Sequence, residues 1–112
     1  MTGLNFTALD FQTADDLVPC ELGVCVVRKG IIVETRSWLI KPSCYPYMNS
    51  YHQNVHGISV RELDDAPYFD TVWHEAEPYL TDNLLVAHNA RFDISVLRET
   101  LFRYGIPIPN SD

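Results

Sequence analysis

Two polar side chains stand two residues apart at the end of an apolar stretch, residues 6–13, that reads FTALDFQT. Successive side chains of a strand point to opposite faces, so Asp10 and Gln12 project together while Leu9 and Phe11 point to the other side. A carboxylate beside an amide oxygen at a strand end is a typical environment for a hard divalent cation. A carboxylate there is costly to desolvate unless a cation satisfies it, which favours a functional role for Asp10.

A second group of candidates follows another short apolar segment, late in the sequence. His88 and Asn89 come directly after that segment, and Asp93 falls in the first turn of the helix that is predicted next. An aspartate in a first turn also has an ordinary structural explanation, because it complements the helix dipole at the protein surface. The residues alone leave both explanations of Asp93 open.

The elements that must position these candidates predict an α/β domain. Apolar and β-branched runs predict strands over residues 6–11, 21–28, 31–40 and 84–87. Helical spacing predicts one helix over residues 67–80 and a last helix that ends at Gly105. We expect Asp64, Asp65 and Pro67 to open the first helix and Asn89 to cap the last. The expected loops cover residues 13–19 and 41–59.

The order of the elements predicts a mixed sheet with strand order 3-2-1-4. The second and third strands form a hairpin, and a right-handed helical crossover places the fourth strand parallel to the first and beside it. In open α/β sheets, ligands bind at the carboxyl ends of the strands. Asp10, Gln12, His88 and Asn89 are therefore expected to converge at one edge of the sheet.

Composition bounds the class of protein. The 112 residues are expected to form one domain, and the formal net charge of −7 argues against binding nucleic acid through a basic surface. That charge is compatible with an enzyme that meets phosphates through bound divalent cations. The three cysteines form no metal-binding or disulfide pattern, and no apolar run is long enough to span a membrane. We therefore expect a soluble, cytoplasmic protein with reduced thiols.

Three segments resemble the DnaQ-like (DEDD) 3'–5' exonucleases, in the same order along the chain. The LDFQT of residues 9–13 resembles the first motif of that family, Asp-x-Glu-Thr. The VAHNARFD of residues 86–93 is similar to its second motif, Asn-x-x-Phe/Tyr-Asp, and the VHGI of residues 55–58 matches a segment common in the family. The resemblance implies a ribonuclease-H-like fold, here as a partial exonuclease domain over residues 1–112 that is truncated before the last family elements.

The resemblance also implies roles for individual residues. In the family, carboxylates hold two Mg2+ or Mn2+ ions, so Asp10, Gln12 and Asp93 would be the metal-ligating and catalytic group. The substrate would be the 3' end of single-stranded DNA or RNA, and a polymerase or another protein subunit is a possible partner. The expected substrate-binding residues are Phe11, Thr13, His56, Asn89 and Phe92. For His56, a hydrogen bond that braces its loop is an equal alternative.

Two departures from the family pattern predict weak or absent activity. Gln12 stands where the family has glutamate, which removes one negative charge from the site. The third motif, His-x4-Asp or Tyr-x3-Asp on a later helix, is missing, because the matching pair of His88 and Asp93 reuses the second-motif aspartate. The alternative is a catalytically dead ribonuclease-H-like interaction module, which would use the exposed edge of strand four for strand addition or self-association. A nucleotide-binding α/β domain is a weaker option, since no glycine-rich phosphate loop is present.

Overall fold

A computed structural model describes residues 3–108. It contains one mixed sheet of four strands, whose bounds are β1 Phe6–Asp15, β2 Val18–Arg28, β3 Ile31–Leu39 and β4 Leu85–Val86. The strand order is β3-β2-β1-β4, with β2 antiparallel to both β1 and β3, and β4 parallel to β1. The predicted α/β class and the 3-2-1-4 order are confirmed.

The core lies between one face of this sheet and two helices, α2 (Phe69–Leu80) and α3 (Ala90–Arg103). The strands contribute alternate residues such as Leu9, Phe11 and Leu22, as the two-residue period of a strand requires. The helices contribute residues at helical spacing, namely Phe69, Val72, Trp73, Ala76, Leu80, Val96, Leu97 and Leu101. The helical spacing that predicted the two helices is therefore the spacing of their buried residues.

The last helix ends at a Schellman motif. Gly105 has a positive φ of 68°, a conformation that glycine adopts without steric cost. The backbone N–H groups of Gly105 and Ile106 donate to the carbonyl oxygens of Phe102 and Leu101. The predicted stop at Gly105 is confirmed, whereas residues 109–112 of the predicted tail lie outside the described part of the chain.

The predicted loop over residues 13–19 is wrong. Strand β1 continues to Asp15 and β2 begins at Val18, so the two strands form a hairpin with irregular register beyond Gln12. The extension is stable because Ala14 and Cys20 pack with Ile58 and Leu63 in a second, smaller core cluster. The sequence reasoning missed it because Ile58 and Leu63 belong to segments that were not predicted to form a strand or a helix.

That segment, residues 41–59, also contains more regular structure than predicted. It includes α1 (Ser50–His56), and a 3-10 helix (Val60–Leu63) follows it. The side chain of Asn49 caps α1 by accepting from the N–H groups of Tyr51 and His52. Helix α1 buries none of its residues, so it has no apolar periodicity by which sequence reasoning could find it.

The predicted helix starts also need correction. Helix α2 begins at Phe69, with Tyr68 at the N-cap position, so Asp64, Asp65 and Pro67 all precede it. The delay arises because the Pro67 carbonyl accepts the N–H of Lys41 at 2.7 Å, which keeps this segment extended. Asn89 does occupy the N-cap position of α3, but its side chain makes no capping hydrogen bond. No helix within residues 3–108 is long and apolar enough to cross a membrane.

Candidate active site

The side chains of Asp10 and Gln12 lie on one face of β1, opposite the buried Leu9 and Phe11. The Gln12 amide Nε2 donates to Asp10 Oδ2 at 3.3 Å, and the Asp10 side chain is exposed to solvent. The sequence prediction that these two groups project together is confirmed. The amide N–H of Gln12 therefore occupies one of the directions from which a cation would approach the Asp10 carboxylate.

Asp93 completes this cluster from the first turn of α3. Its side chain is only 2% exposed, and its Oδ1 accepts the backbone N–H of Phe11 at 2.9 Å. The surface-dipole explanation of Asp93 is therefore wrong, because a carboxylate that is merely complementing a helix dipole would remain in water. The hydrogen bond to Phe11 places Asp93 beside the chain segment that carries Asp10 and Gln12.

The electrostatic environment of Asp93 is that of a carboxylate short of positive charge. Burial is the main cause that raises its pKa, and the negative charge of Asp10 raises the pKa further. The hydrogen bond from Phe11 and the proximity of His88 act in the opposite direction and lower it. A cation bound beside Asp93 would stabilise the charged carboxylate and so lower its pKa.

The donor set can be compared with what divalent cations require. Asp10, the second oxygen of Asp93 and the side-chain carbonyl of Gln12 are all oxygen donors, which is the ligand type that Mg2+ and Mn2+ prefer. Only two of these three groups are negatively charged. The residues therefore fit one dication, and are one carboxylate short of the charge that would suit a pair.

A network of hydrogen bonds supports the end of β1 next to this cluster. His56 Nε2 lies 2.9 Å from the Thr13 carbonyl oxygen, and His56 Nδ1 accepts the N–H of Ile58 at 2.9 Å. Since Nδ1 is an acceptor, the proton lies on Nε2 and the tautomer is fixed. Both ring nitrogens are thus used within the chain, which supports the bracing role of His56. A direct contact of His56 with substrate stays a prediction.

His52 holds the side chain of the same threonine. Its Nδ1 lies 2.8 Å from Thr13 Oγ1, and Thr13 is buried. From the sequence alone, His52 carried no functional indication, because it lies in a segment without apolar periodicity. Its position next to Thr13 is a consequence of the Asn49 cap, which fixes where α1 begins.

A groove of about 260 Å³ opens beside Gln12. Four of the predicted substrate-binding residues line it, namely Phe11, Thr13, His56 and Phe92. The fifth, Asn89, is exposed and is not part of the groove lining. Tyr51 and Val55 of α1 also line the groove with side chains that are 74% and 68% exposed.

The comparison of this chain with known protein families agrees with this geometry. The exonuclease family of RNase T type matches residues 1–112. The chain belongs to this exonuclease family. Residues 1–112 are also 40% identical over 96 residues to the DNA polymerase III subunit epsilon of Rickettsia prowazekii, an alignment that covers 85% of the chain and 40% of that protein.

Other exonuclease relatives are parts of larger proteins. The PolC-type DNA polymerase III of Thermotoga maritima is 32% identical over 100 residues, which are 84% of this chain and 7% of that protein. The 3'-5' exonuclease DinG of Staphylococcus aureus is 30% identical over 91 residues, which are 81% of this chain and 9% of that protein. The chain thus spans less than half the length of each of these curated relatives.

Solved exonuclease structures share the fold. Exonuclease X, solved in complex with 5' overhanging duplex DNA, superposes with a TM-score of 0.73 at 23% identity and covers 95% of this chain and 56% of that chain. The nuclease domain of 3'hExo, a DEDDh family member, gives a TM-score of 0.74 at 15% identity, with 95% of this chain and 62% of that chain covered. The resemblance to DEDD exonucleases and the ribonuclease-H-like fold are therefore confirmed.

A cysteine thiol, that of Cys20, lies near this site, and nucleophilic catalysis by it can be excluded. Cys20 Sγ lies 3.8 Å from His56 Nε2, a pairing that superficially resembles a cysteine–histidine nucleophile. Burial, with smaller effects of Glu21 and Cys44, raises the pKa of the Cys20 thiol to about 12. The thiol stays protonated at neutral pH, so Cys20 belongs to the core and not to the active site.

Proposed function

We propose that this chain is the metal-binding part of a 3'–5' exonuclease domain that acts on the 3'-terminal phosphodiester of single-stranded DNA or RNA. The observation that carries the proposal is that Asp10 and Gln12 project together from β1 while the buried Asp93 accepts the N–H of Phe11, the residue between them. The match to the exonuclease family over residues 1–112 supports the same reaction class. The cofactor would be Mg2+ or Mn2+.

Each residue of the cluster has a separate task in this proposal. Asp10 and the free oxygen of Asp93 supply the negative charge that holds a dication, and the Phe11 N–H fixes the orientation of Asp93. The bound dication would polarise the phosphodiester and stabilise the charge of the leaving oxygen. Phe92, Tyr51 and Val55 present an apolar and aromatic groove in which the terminal base can stack. Thr13, held by His52 and His56, forms the polar wall of that groove.

We further propose that turnover by residues 1–112 is weak or absent. Gln12 supplies an amide where a carboxylate would add charge, and its N–H is directed at Asp10. No histidine or tyrosine in these residues has the third-motif spacing to an aspartate other than His88, whose partner Asp93 is already engaged. The chain would therefore bind a 3' end more effectively than it cleaves one.

Binding of a labelled oligonucleotide tests this proposal. In the presence of Mn2+, a linear single strand with a free 3' hydroxyl should increase fluorescence anisotropy more than a circular strand of the same sequence. Asp10→Asn should remove the difference, because it removes charge from the cation site, and Asp65→Asn is the matched control at an exposed aspartate. Equal binding of linear and circular strands would contradict the proposal, and rapid cleavage of the linear strand would contradict the expected low turnover.

The second candidate function is a ribonuclease-H-like protein-interaction module. The position of β4 at the edge of the sheet favours it, together with Leu84 and Val86, which are 57% and 42% exposed. An unpaired strand edge can accept a strand from another chain, including a second copy of this one. In this case sedimentation velocity would show concentration-dependent self-association that Val86→Lys abolishes and Asp10→Asn leaves unchanged.

We infer a polymerase or a related replication protein as the macromolecular partner, because two of the similar proteins are DNA polymerase III proteins. The same relatives support a cytoplasmic location. Coprecipitation from cell extract, with Val86→Lys as the comparison, separates a partner held at the β4 edge from one held elsewhere. Fractionation of cells that express the chain tests the location.

A further inference from the structure

We propose that Asp15, Asp16 and His52 form a second cation site, separate from the Asp10 cluster, which takes a transition-metal dication of the Zn2+ type. One ligand atom from each of the three residues lies within 4.8 Å of the others. Asp15 is the last residue of β1, Asp16 follows it in the turn to β2, and His52 comes from α1. A mixed set of one imidazole and two carboxylates suits Zn2+ better than Mg2+, which prefers oxygen donors alone.

The surrounding contacts hold two of these ligands in position. Asn49 Nδ2 donates to Asp15 Oδ1 at 3.1 Å, while its own Oδ1 caps α1. His52 Nδ1 lies 2.8 Å from the Thr13 hydroxyl, and in the proposed site Nδ1 would donate to that hydroxyl while the other ring nitrogen, Nε2, binds the metal. A metal-ligating histidine is typically held by such a bond from its other ring nitrogen. Ligands around a tetrahedral Zn2+ lie roughly 3.3 Å apart, and the exposed Asp16 can rotate to close the remaining distance.

The charges around the cluster also favour a cation. Among residues 3–108, neither Asp15 nor Asp16 forms an ion pair with a lysine or arginine. They line a groove of about 740 Å³ together with Glu99 and Arg103, and Arg103 already lies 3.7 Å from Glu99. The half-buried Asp15 and the exposed Asp16 therefore border an open groove and have no direct ion-pair partner among residues 3–108, which leaves room for the water molecules that would complete the coordination of a dication.

Occupation of this site would connect the β1–β2 turn to α1. Thr13 of β1 lines the groove beside Gln12 together with Tyr51 and Val55 of α1, so a cation that fixes α1 against the end of β1 would stabilise that groove. The proposal does not depend on the exonuclease reaction, because it requires only that the three side chains bind a cation.

Titration of the chain with Zn2+ alone, monitored by calorimetry and by NMR of the imidazole signals, tests the site. We expect saturable binding that shifts the signals of His52 and leaves those of the exposed His74 in place. His52→Gln and Asp16→Asn should each weaken binding by at least ~10-fold. The controls His74→Gln and Asp65→Asn should leave the affinity unchanged. A Zn2+ concentration ~100-fold above the dissociation constant should raise the Tm by on the order of 10 °C.

The Asp10→Asn variant separates the two sites. If the proposal is right, Asp10→Asn retains Zn2+ binding at His52 and loses only the cation held by the Asp10 cluster. Loss of all Zn2+ binding in Asp10→Asn, with none lost in His52→Gln, would overturn the second site. Unsaturable binding or shifts at all four histidines would also overturn it, and none of these results would contradict the exonuclease proposal.

Discussion

Two carboxylate clusters flank the last residues of β1, and they differ in how the fold holds them. In the first, Asp93 is buried and its carboxylate is fixed by the Phe11 N–H, so the charge is built into the core. In the second, Asp16 is exposed and Asp15 is half-buried, and a side-chain amide orients only one of them. The first cluster carries the family motifs yet contains the neutral Gln12. The second cluster matches no family motif, but it contains no neutral residue in the place of a carboxylate.

This difference shows that a cluster can match a family motif without having a favourable set of metal ligands, and the reverse. The position of Asp93 follows from the packing of α3 against the sheet, which the apolar pattern of the chain specifies. In the proposed site, cation binding would depend on the charges of Asp10, Gln12 and Asp93, and the single amide of Gln12 would weaken it without changing the fold. The predictions below therefore compare the same kind of substitution in the two clusters.

The largest effect on stability is expected from Asp93→Ala. The buried Phe11 N–H would lose its acceptor, which costs about 1–3 kcal/mol in the free energy of unfolding relative to Asp93→Asn, which keeps an acceptor oxygen. In the other cluster, Asp16→Asn should change stability by no more than about 0.5 kcal/mol, since Asp16 is exposed. Urea denaturation of the three variants measures both values. Equal stability of Asp93→Ala and Asp93→Asn would show that the bond to Phe11 is not formed.

His56→Ala should have a comparable or slightly smaller effect. The N–H of Ile58 and the carbonyl of Thr13 would both lose their partner, at a cost of about 1–2 kcal/mol, because His56 is only half-buried and water can replace part of the loss. The control is His74→Ala, an exposed position on α2 where a change of at most about 0.5 kcal/mol is expected. If the two variants are equally stable, His56 does not brace the end of β1, and its role as a substrate contact is favoured instead.

The pH dependence of stability should show a smaller effect that depends on Asp93. Its folded-state pKa is raised, mainly by burial, so the folded chain binds the proton more tightly than the unfolded chain does. This contribution to stability is fully present below the unfolded pKa and is lost as the pH rises through the folded pKa. Asp93→Asn should remove that loss, whereas Asp16→Asn should not. Thermal melting from acidic to neutral pH, in the presence of a chelator, gives the comparison.

Much of the molecule could be predicted from the sequence. The parts that could not be predicted have a common cause. The sheet order, the buried faces of α2 and α3 and the pairing of Asp10 with Gln12 follow from periodicity and chain order. Helix α1 buries no residue, so its only sequence signal is the Asn49 cap. The positions of His52, Tyr51 and Val55 depend on that helix, and the second core cluster joins Ala14 and Cys20 to Ile58 and Leu63, which are distant in sequence. Contacts that join segments far apart in sequence, such as His56 to Thr13, leave no periodic pattern to read.

The choice between a surface and a buried Asp93 shows the same limit. Helix spacing places Val96 and Leu97 on the apolar face but does not reveal that the first turn of α3 packs against the end of β1. The family motif indicated the functional position of Asp93, whereas its hydrogen bond to Phe11 became evident only in the structure. The motif singled out Asp93 as a candidate, and the structure showed that its side chain is buried and bonded to Phe11.

The central claim is that Gln12 limits cation binding by an otherwise intact cluster, and a Mn2+ titration of Gln12→Glu tests it most directly. Wild type, Gln12→Glu and Gln12→Met would be compared by calorimetry, in the His52→Gln background so that the second cluster does not contribute. The third carboxylate should tighten Mn2+ binding by about 10-fold or more, which corresponds to roughly 1.4 kcal/mol, while Gln12→Met should weaken it. Equal Mn2+ affinity of wild type and Gln12→Glu would contradict the assignment of Asp10, Gln12 and Asp93 as one cation site.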